Sequence, residues 1–299
     1  MNAVLYMLTV LIWGTTWIAI SLQEGIVAPV VSVFYRFAVA AILLFPLLIL
    51  CKRLRPLDRR DHLFCMLQGM CVFGLNFYCF YTAVSYISSG LESVIFSIAV
   101  IFNALNAVVF LRQPVTAKLL CAALLGVAGM VSLFWNDLVK DVGNSDTLLG
   151  AGLCLLGTYG FSLGNMISAR HQKRGRDVMT TNAWAMGYGA LFMAALATLS
   201  GAEFTIEMTP SYLISLFYLS VIGSLVGFGA YFALIGRIGT GPAAYATVLF
   251  PLVALSISTV FEGYVWTPGG FLGLGLILLG NIVMFARWPK VRFLAQRYQ

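Results

Sequence analysis

The sequence predicts an all-α integral membrane protein with ten transmembrane helices arranged as two inverted five-helix repeats. Three observations predict it. Of 299 residues, 61% are hydrophobic and only 10% charged, where a soluble chain carries about 25% charged residues, so there is too little polar surface to face water. Apolar runs of about 20 residues, the length that spans a bilayer, recur ten times. The basic residues collect in alternate connections between those runs, as orientation in a membrane requires.

Taken in order, the runs are 3–22, 28–51, 62–84, 90–111, 115–135, 148–169, 180–200, 211–235, 241–261 and 268–286, each bounded by charge, Pro, Gly or Ser clusters. The first has no Lys or Arg ahead of it and no A-x-A-like site behind it, so it reads as a span and not as a cleaved leader. The second ends at Lys52 and Arg53, and Arg59 and Arg60 precede the third. Ser88-Ser89-Gly90 opens the fourth and Arg112 closes it. The fifth follows Gln113, and the sixth runs into Arg170. The eighth ends at Arg237, Gly239-Thr240-Gly241-Pro242 opens the ninth with helix-start chemistry, and Arg287 closes the tenth. Connections of at most about a dozen residues leave no room for a catalytic or regulatory domain outside the bilayer.

Connections after the even-numbered spans, together with the tail, hold sixteen basic residues; the opposite set holds Lys140 and a majority of acidic residues, including Glu24, Asp137, Asp141, Asp146, Glu203 and Glu207. The positive-inside rule then places both termini in the cytoplasm. The net charge of +7 is a topology signal, with anionic lipid headgroups as a secondary target, and nucleic acid is not expected as a partner. The six cysteines lie in or beside apolar runs without a C-x-x-C spacing, so they read as packing residues, and neither metal nor cofactor is expected.

Ten spans divide into five and five, and an odd unit copied in tandem inserts with opposite orientation. The division is 1–136 and 148–288, with an acidic, Gly-containing hinge at 136–147 and a basic cytoplasmic tail at 289–299. Sliding 90–134 onto 241–285 aligns Gly90 with Gly241, Val109 with Val260, Phe110 with Phe261, Thr116 with Thr267 and Gly129 with Gly280.

The chain resembles the EamA-type ten-helix branch of the drug/metabolite transporter superfamily. Leu11-Ile12-Trp13-Gly14-Thr15-Thr16-Trp17 resembles that family's first-helix signature, Tyr35-Arg36-Phe37-Ala38 resembles the Arg-Phe of its second helix, and Phe261-Glu262-Gly263-Tyr264 with Trp266-Thr267 resembles its turn between spans nine and ten. Gln113 replaces an acidic residue common in the family, and the fourth span lacks a proline matching Pro251. The resemblance implies transport of small metabolites or drugs, without naming a solute.

Polar groups inside spans mark the candidate site, because each is expensive in hydrocarbon. Arg36 lies about eight residues into the second span and Glu92 in the first turn of the fourth. They either pair with each other or with a neighbouring helix as structural glue, or Arg36 neutralises a substrate carboxylate while Glu92 holds its ammonium or a coupling proton. Glu92, Phe96, Ala99, Asn103, Asn106 and Phe110 share one helical face, with Asn103 near mid-bilayer. Asn76 stands between Val72 and Phe80 on the third span, and the sixth offers Thr158, Ser162 and Asn165. Ser220, Ser224, Gly227 and Tyr231 line up on the eighth, and Tyr245, Leu252, Ser256 and Thr259 on the ninth. Trp13 sits mid-span, and with Tyr81, Tyr159 and Tyr231 it is expected to wall a pocket for an apolar or aromatic solute. The glycines of the fifth and tenth spans read as close-packing positions.

Enzyme classes fail on inventory. The only histidines are His62 and His171, and there is no H-E-x-x-H, no G-x-S-x-G and no G-x-x-x-x-G-K-[ST]. The sequence therefore reads as a secondary active transporter, an exporter of amino acids or related small metabolites by alternating access. Its expected partners are a small-molecule substrate, membrane lipids and, as one candidate driving force, a coupling proton, with a monomer favoured. Export of drugs or other organic solutes, a passive channel and a membrane-embedded lipid enzyme are the alternatives.

Overall fold

Large apolar side chains point outward in this protein. Ile26, Leu50 and Leu199 are 79–85% exposed, while Thr9, Ser32, Asn103 and Asn165 are fully buried. The core is still mostly apolar, but this much exposed apolar surface together with fully buried polar groups suits a hydrocarbon medium. The computed structural model describes residues 2–87, 89–133, 135, 139, 145–250, 252–253, 256–257 and 266–285.

All regular structure among the described residues is helical. The helices are α1 (Asn2–Ser21), α2 (Pro29–Leu50), α3 (Arg59–Ala83), α4 (Ser89–Ser97 and Ala99–Leu111), α5 (Ala117–Leu133), α6 (Ser145–Lys173), α7 (Val178–Leu199), α8 (Pro210–Ile238), α9 (Thr240–Ala244, tightening to 3-10 geometry over Tyr245–Val248) and α10 (Pro268–Phe285). Six of them, α1, α2, α3, α6, α7 and α8, are long and apolar enough to cross a membrane outright, and α4, α5 and α10 are shorter apolar helices. The described helix ends fall within about four residues of the predicted ones, α6 being longer at both ends than predicted. Most of the predicted hinge falls outside the described residues, as do the end of the ninth span and the basic tail, while the hinge's last three residues open α6.

The helix starts have identifiable chemistry. Pro29 and Pro210 occupy first-turn positions that need no N–H. Asp58, Asp177 and Thr209 cap α3, α7 and α8 by accepting from the backbone N–H three residues on. Gly239, at φ +88°, takes the turn from α8 into α9 that a side chain would resist.

The duplication is visible in the geometry. Thr116 Oγ1 accepts from Leu119 N at 3.2 Å to open α5, and Thr267 Oγ1 accepts from Gly270 N at 3.1 Å to open α10. These are the residues the repeat aligns. Both α3 and α8 loosen into π-helix in mid-course, over Gly69–Asn76 and Leu219–Val226. Across the halves α2 packs on α7, α4 on α9 and α5 on α10, while α1 packs on α8 as α6 packs on α3, the pattern of a pseudo-two-fold axis. At the α5–α10 contact a Cβ on Gly129 would lie 2.8 Å from the Gly273 carbonyl oxygen. These glycines let the two backbones touch, as their spacing suggested.

At one end of the bundle the halves are joined by charge. Asp61, fully buried, faces Arg170 Nη1 at 3.3 Å, Arg174 Nη1 at 3.9 Å, His171 Nδ1 at 4.0 Å and the Nε of Arg176. Asp58 takes Arg176 at 2.9 Å and Arg174 at 3.5 Å. Its carboxyl is held below the usual range, first by the Asp61 backbone N–H it caps and then by those two arginines.

Candidate functional site

Trp13 is the centre of the molecule. Its indole N–H donates to the Gly223 carbonyl at 3.0 Å, an acceptor within the π-stretch of α8, where the helical hydrogen-bond ladder is shifted. A Cβ on Gly227 would fall 2.5 Å from the indole nitrogen, so only glycine lets the ring lie against that backbone. Phe228 and Phe250 close around the ring, with centroids at 4.6 and 5.5 Å, and Tyr231 lies at 4.8 Å.

Above Trp13 lies a cavity bounded by α1, α2, α3, α4, α6, α8 and α9. Trp17 packs edge-on against Phe80 and Phe96, and Phe96 against Phe161. The wall is thus aromatic on most sides, with Arg36, Asn76 and Thr16 as its polar members. The space open to the centre of a water molecule is about 40 Å³. That admits a few waters and no organic solute.

Arg36 enters this cavity 1% exposed. Nε donates to Ser224 Oγ at 3.0 Å, and the guanidinium lies over the Phe77 ring at 4.2 Å. Ser224 in turn donates to the Leu219 carbonyl at 2.8 Å, and Tyr81 stands beside Arg36 with its hydroxyl donated to Gln23 Oε1 at 2.8 Å. Nη1 has no hydrogen-bond partner. Asn76, on the π-stretch of α3, lines the cavity and donates to the Gly157 carbonyl at 2.8 Å.

The other predicted site residues are distributed differently. Asn103 Oδ1 accepts from Ser162 Oγ and from Asn165 Nδ2, both at 3.1 Å, and Asn165 donates to the Tyr231 hydroxyl at 3.0 Å. This network locks α4, α6 and α8 together behind the aromatic wall and does not line the cavity. Glu92 is fully buried against Cys154, whose thiol donates to Oε1 at 3.9 Å, and its Oε2 has no partner. Among the described residues no ion pair joins it to Arg36; each meets a neighbouring helix instead, Glu92 at Cys154 on α6 and Arg36 at Ser224 on α8.

Two aromatic placements are corrected. Tyr159 is 40% exposed on the outer surface, edge-on to Phe102, and does not wall the pocket. Tyr245 is buried at the α5–α10 contact, donating to the Ala122 carbonyl at 3.1 Å. The α9 stripe also fails as a wall, because Ser256 is exposed and bonds its own helix; Thr259 lies outside the described residues. Sequence reasoning missed Gly223, whose carbonyl holds Trp13, and the rings Phe161, Phe228 and Phe250. Ser224, Gly227 and Tyr231, expected on one stripe, contact Arg36 or Trp13, but none of them lines the cavity.

Ten helical elements among the described residues, duplicated about a largely aromatic cavity, define a multi-pass membrane protein. The profile of the EamA-like transporter family matches residues 1–135 and again 148–286. The chain belongs to that family, and it is a transporter and not an enzyme. It is 25% identical over 97% of both chains to a protein of Escherichia coli (strain K12) named "Probable amino-acid metabolite efflux pump". A Salmonella typhimurium protein of the same name is 26% identical over 92% of each chain. One solved crystal structure superposes with a TM-score of 0.77 over 95% of this chain and 96% of its own. At 13% identity that likeness is one of fold.

Proposed function

We propose that the chain is a secondary active exporter of amino acids or related small metabolites, working by alternating access from the cell membrane with both termini in the cytoplasm. The observation that carries the reading is Arg36, a buried guanidinium at an aromatic cavity with one nitrogen unpartnered. A charge in that position is costly unless something pairs with it, and a substrate carboxylate is the group that fits. The aromatic rings around Trp13 and Trp17 then take the apolar body of the solute. Glu92, with a free carboxylate oxygen, is the group available for a coupling proton or a substrate ammonium. A cationic drug would meet Arg36 as a like charge, and a passive channel would need a continuous polar lining where the rings stand.

The efflux-pump names of the two relatives support the substrate class, and the sixteen-to-one asymmetry of basic residues supports the orientation. The test is a thermal-shift and counterflow screen of amino acids, organic acids, their amides and cationic dyes on purified protein. A carboxylate should stabilise the protein and exchange across proteoliposomes where its amide does not. Arg36→Gln should weaken that carboxylate by about 2–5 kcal/mol, the usual loss when one member of a buried charge pair is removed. Equal responses to acid and amide, or an unchanged affinity in Arg36→Gln, would remove the assignment.

A further inference from the structure

We infer that the groove between α3, the end of α4 and the second half of α6 is a binding site for an anionic phospholipid. It lies on the outer surface, away from the central cavity, and holds about 640 Å³, a volume typical of ligand sites. Its floor is apolar, from Leu67 and Cys71 on α3, Phe110 on α4, and Leu163, Met166 and Ile167 on α6. Four cations, Arg112, Arg170, Lys173 and Arg174, cluster at one end of it.

The chemistry of the two ends is that of one lipid. From Leu163 to Lys173 the α6 backbone rises roughly 15 Å, about the depth of one leaflet of a ~30 Å hydrocarbon core, so an acyl chain lying along the floor brings its phosphate to the basic end. Arg170 and Arg174 are partly engaged by Asp61 and Asp58. Arg112 and Lys173, both exposed at the groove, make no ion pair among the described residues. Arg170 stacks over Phe64 at 3.5 Å, which fixes the guanidinium at the groove's edge. Arg112 ends α4 in the left-handed region at φ +52°, a conformation an arginine seldom takes. The cations exceed the carboxylates that reach them, and the excess faces an apolar trough open to lipid. An anionic phosphodiester with acyl chains satisfies both, whereas a free phosphate leaves the trough empty and a zwitterionic lipid leaves the charge unbalanced.

The experiment uses delipidated full-length protein in neutral detergent. Phosphatidylglycerol, phosphatidylcholine and glycerol phosphate are each added, with melting temperature and lipid retained through gel filtration, by mass spectrometry, as readouts. Phosphatidylglycerol should raise the melting temperature and be retained near one per chain; phosphatidylcholine and glycerol phosphate should do neither. Arg112→Gln with Lys173→Gln should weaken retention roughly twenty-fivefold, a factor of about five for each interfacial cation, while Arg112→Lys retains the lipid. Ile167→Trp, which fills the floor without touching charge, should also lose it, and serves if the double variant does not fold. Equal retention of phosphatidylcholine, saturation by glycerol phosphate alone, or undiminished retention in a folded double or Ile167→Trp variant would each overturn the site.

Discussion

Arg36 and Asp61 are both buried charges in a protein surrounded by hydrocarbon, and they are treated in opposite ways. Asp61 faces three arginines and a histidine at the end of the bundle. Arg36, at the central cavity, has a serine, a tyrosine and the face of a phenylalanine around it, and among the described residues no acid pairs with it. The first arrangement spends its charge holding the two halves together. The second leaves Nη1 of a buried guanidinium without a hydrogen-bond partner, and on the function proposed above a substrate carboxylate would complete it.

The comparison breaks most easily at Asp61. Removing one member of a buried charge cluster leaves the others desolvated and uncompensated, a loss of about 3–5 kcal/mol. Asp61→Asn should therefore lower the melting temperature in detergent severely, with ligand affinity unchanged in the fraction that stays folded. A stable Asp61→Asn protein would mean that the arginines are neutralised elsewhere and that the cluster is not a clamp.

Arg36 should behave in reverse. Arg36→Met removes a guanidinium but orphans little, since Ser224 still donates to Leu219 and Tyr81 to Gln23. The methionine also fits among Phe77 and its neighbours. Stability should hold or rise by up to about 2 kcal/mol of relieved desolvation, read as an unchanged or higher melting temperature, while counterflow is lost. A large drop in stability with transport retained would turn Arg36 into packing and remove the contrast.

The same contrast explains what the sequence could tell. Helix boundaries, the repeat and Arg36 were legible because lipid fixes span length and penalises charge, so each leaves a mark in one dimension. Side-chain direction leaves a fainter mark where every face of a helix is apolar. Tyr159 illustrates it: Thr158, Ser162 and Asn165 form the inward stripe of α6, and Tyr159, one residue past Thr158, lies about 100° round from it. Spacing alone argued for the lipid face, and the pull of an aromatic for a binding site argued against it. Asp61 was illegible for another reason. It stands beside Arg59 and Arg60, and only the return of α6 to α3 brings Arg170, Arg174 and Arg176 to it. The π-stretches were also hidden, since Ser224 and Gly227 keep a helical spacing while the backbone between them does not.

The smallest effect separates Asp61 from its neighbour Asp58. Asp58 has the same arginines within reach, but its side chain is about half exposed, so water screens the pairing. Its folded pKa is lowered, chiefly by the Asp61 backbone N–H. A lowered carboxyl pKa contributes stability that is present above the unfolded value of about 3.9 and is lost as pH falls through the folded one. Asp58→Asn keeps an N-cap of equal quality and removes the charge. At neutral pH its melting temperature should lie close to that of the parent, and between about pH 4 and the folded pKa its melting curve should depend less on pH. The check is a pair of melting-temperature profiles over pH for Asp58→Asn and the parent. A loss at neutral pH as large as that of Asp61→Asn would show Asp58 to be part of the clamp, and the distinction between a buried and a screened carboxylate at this end of the molecule would fall.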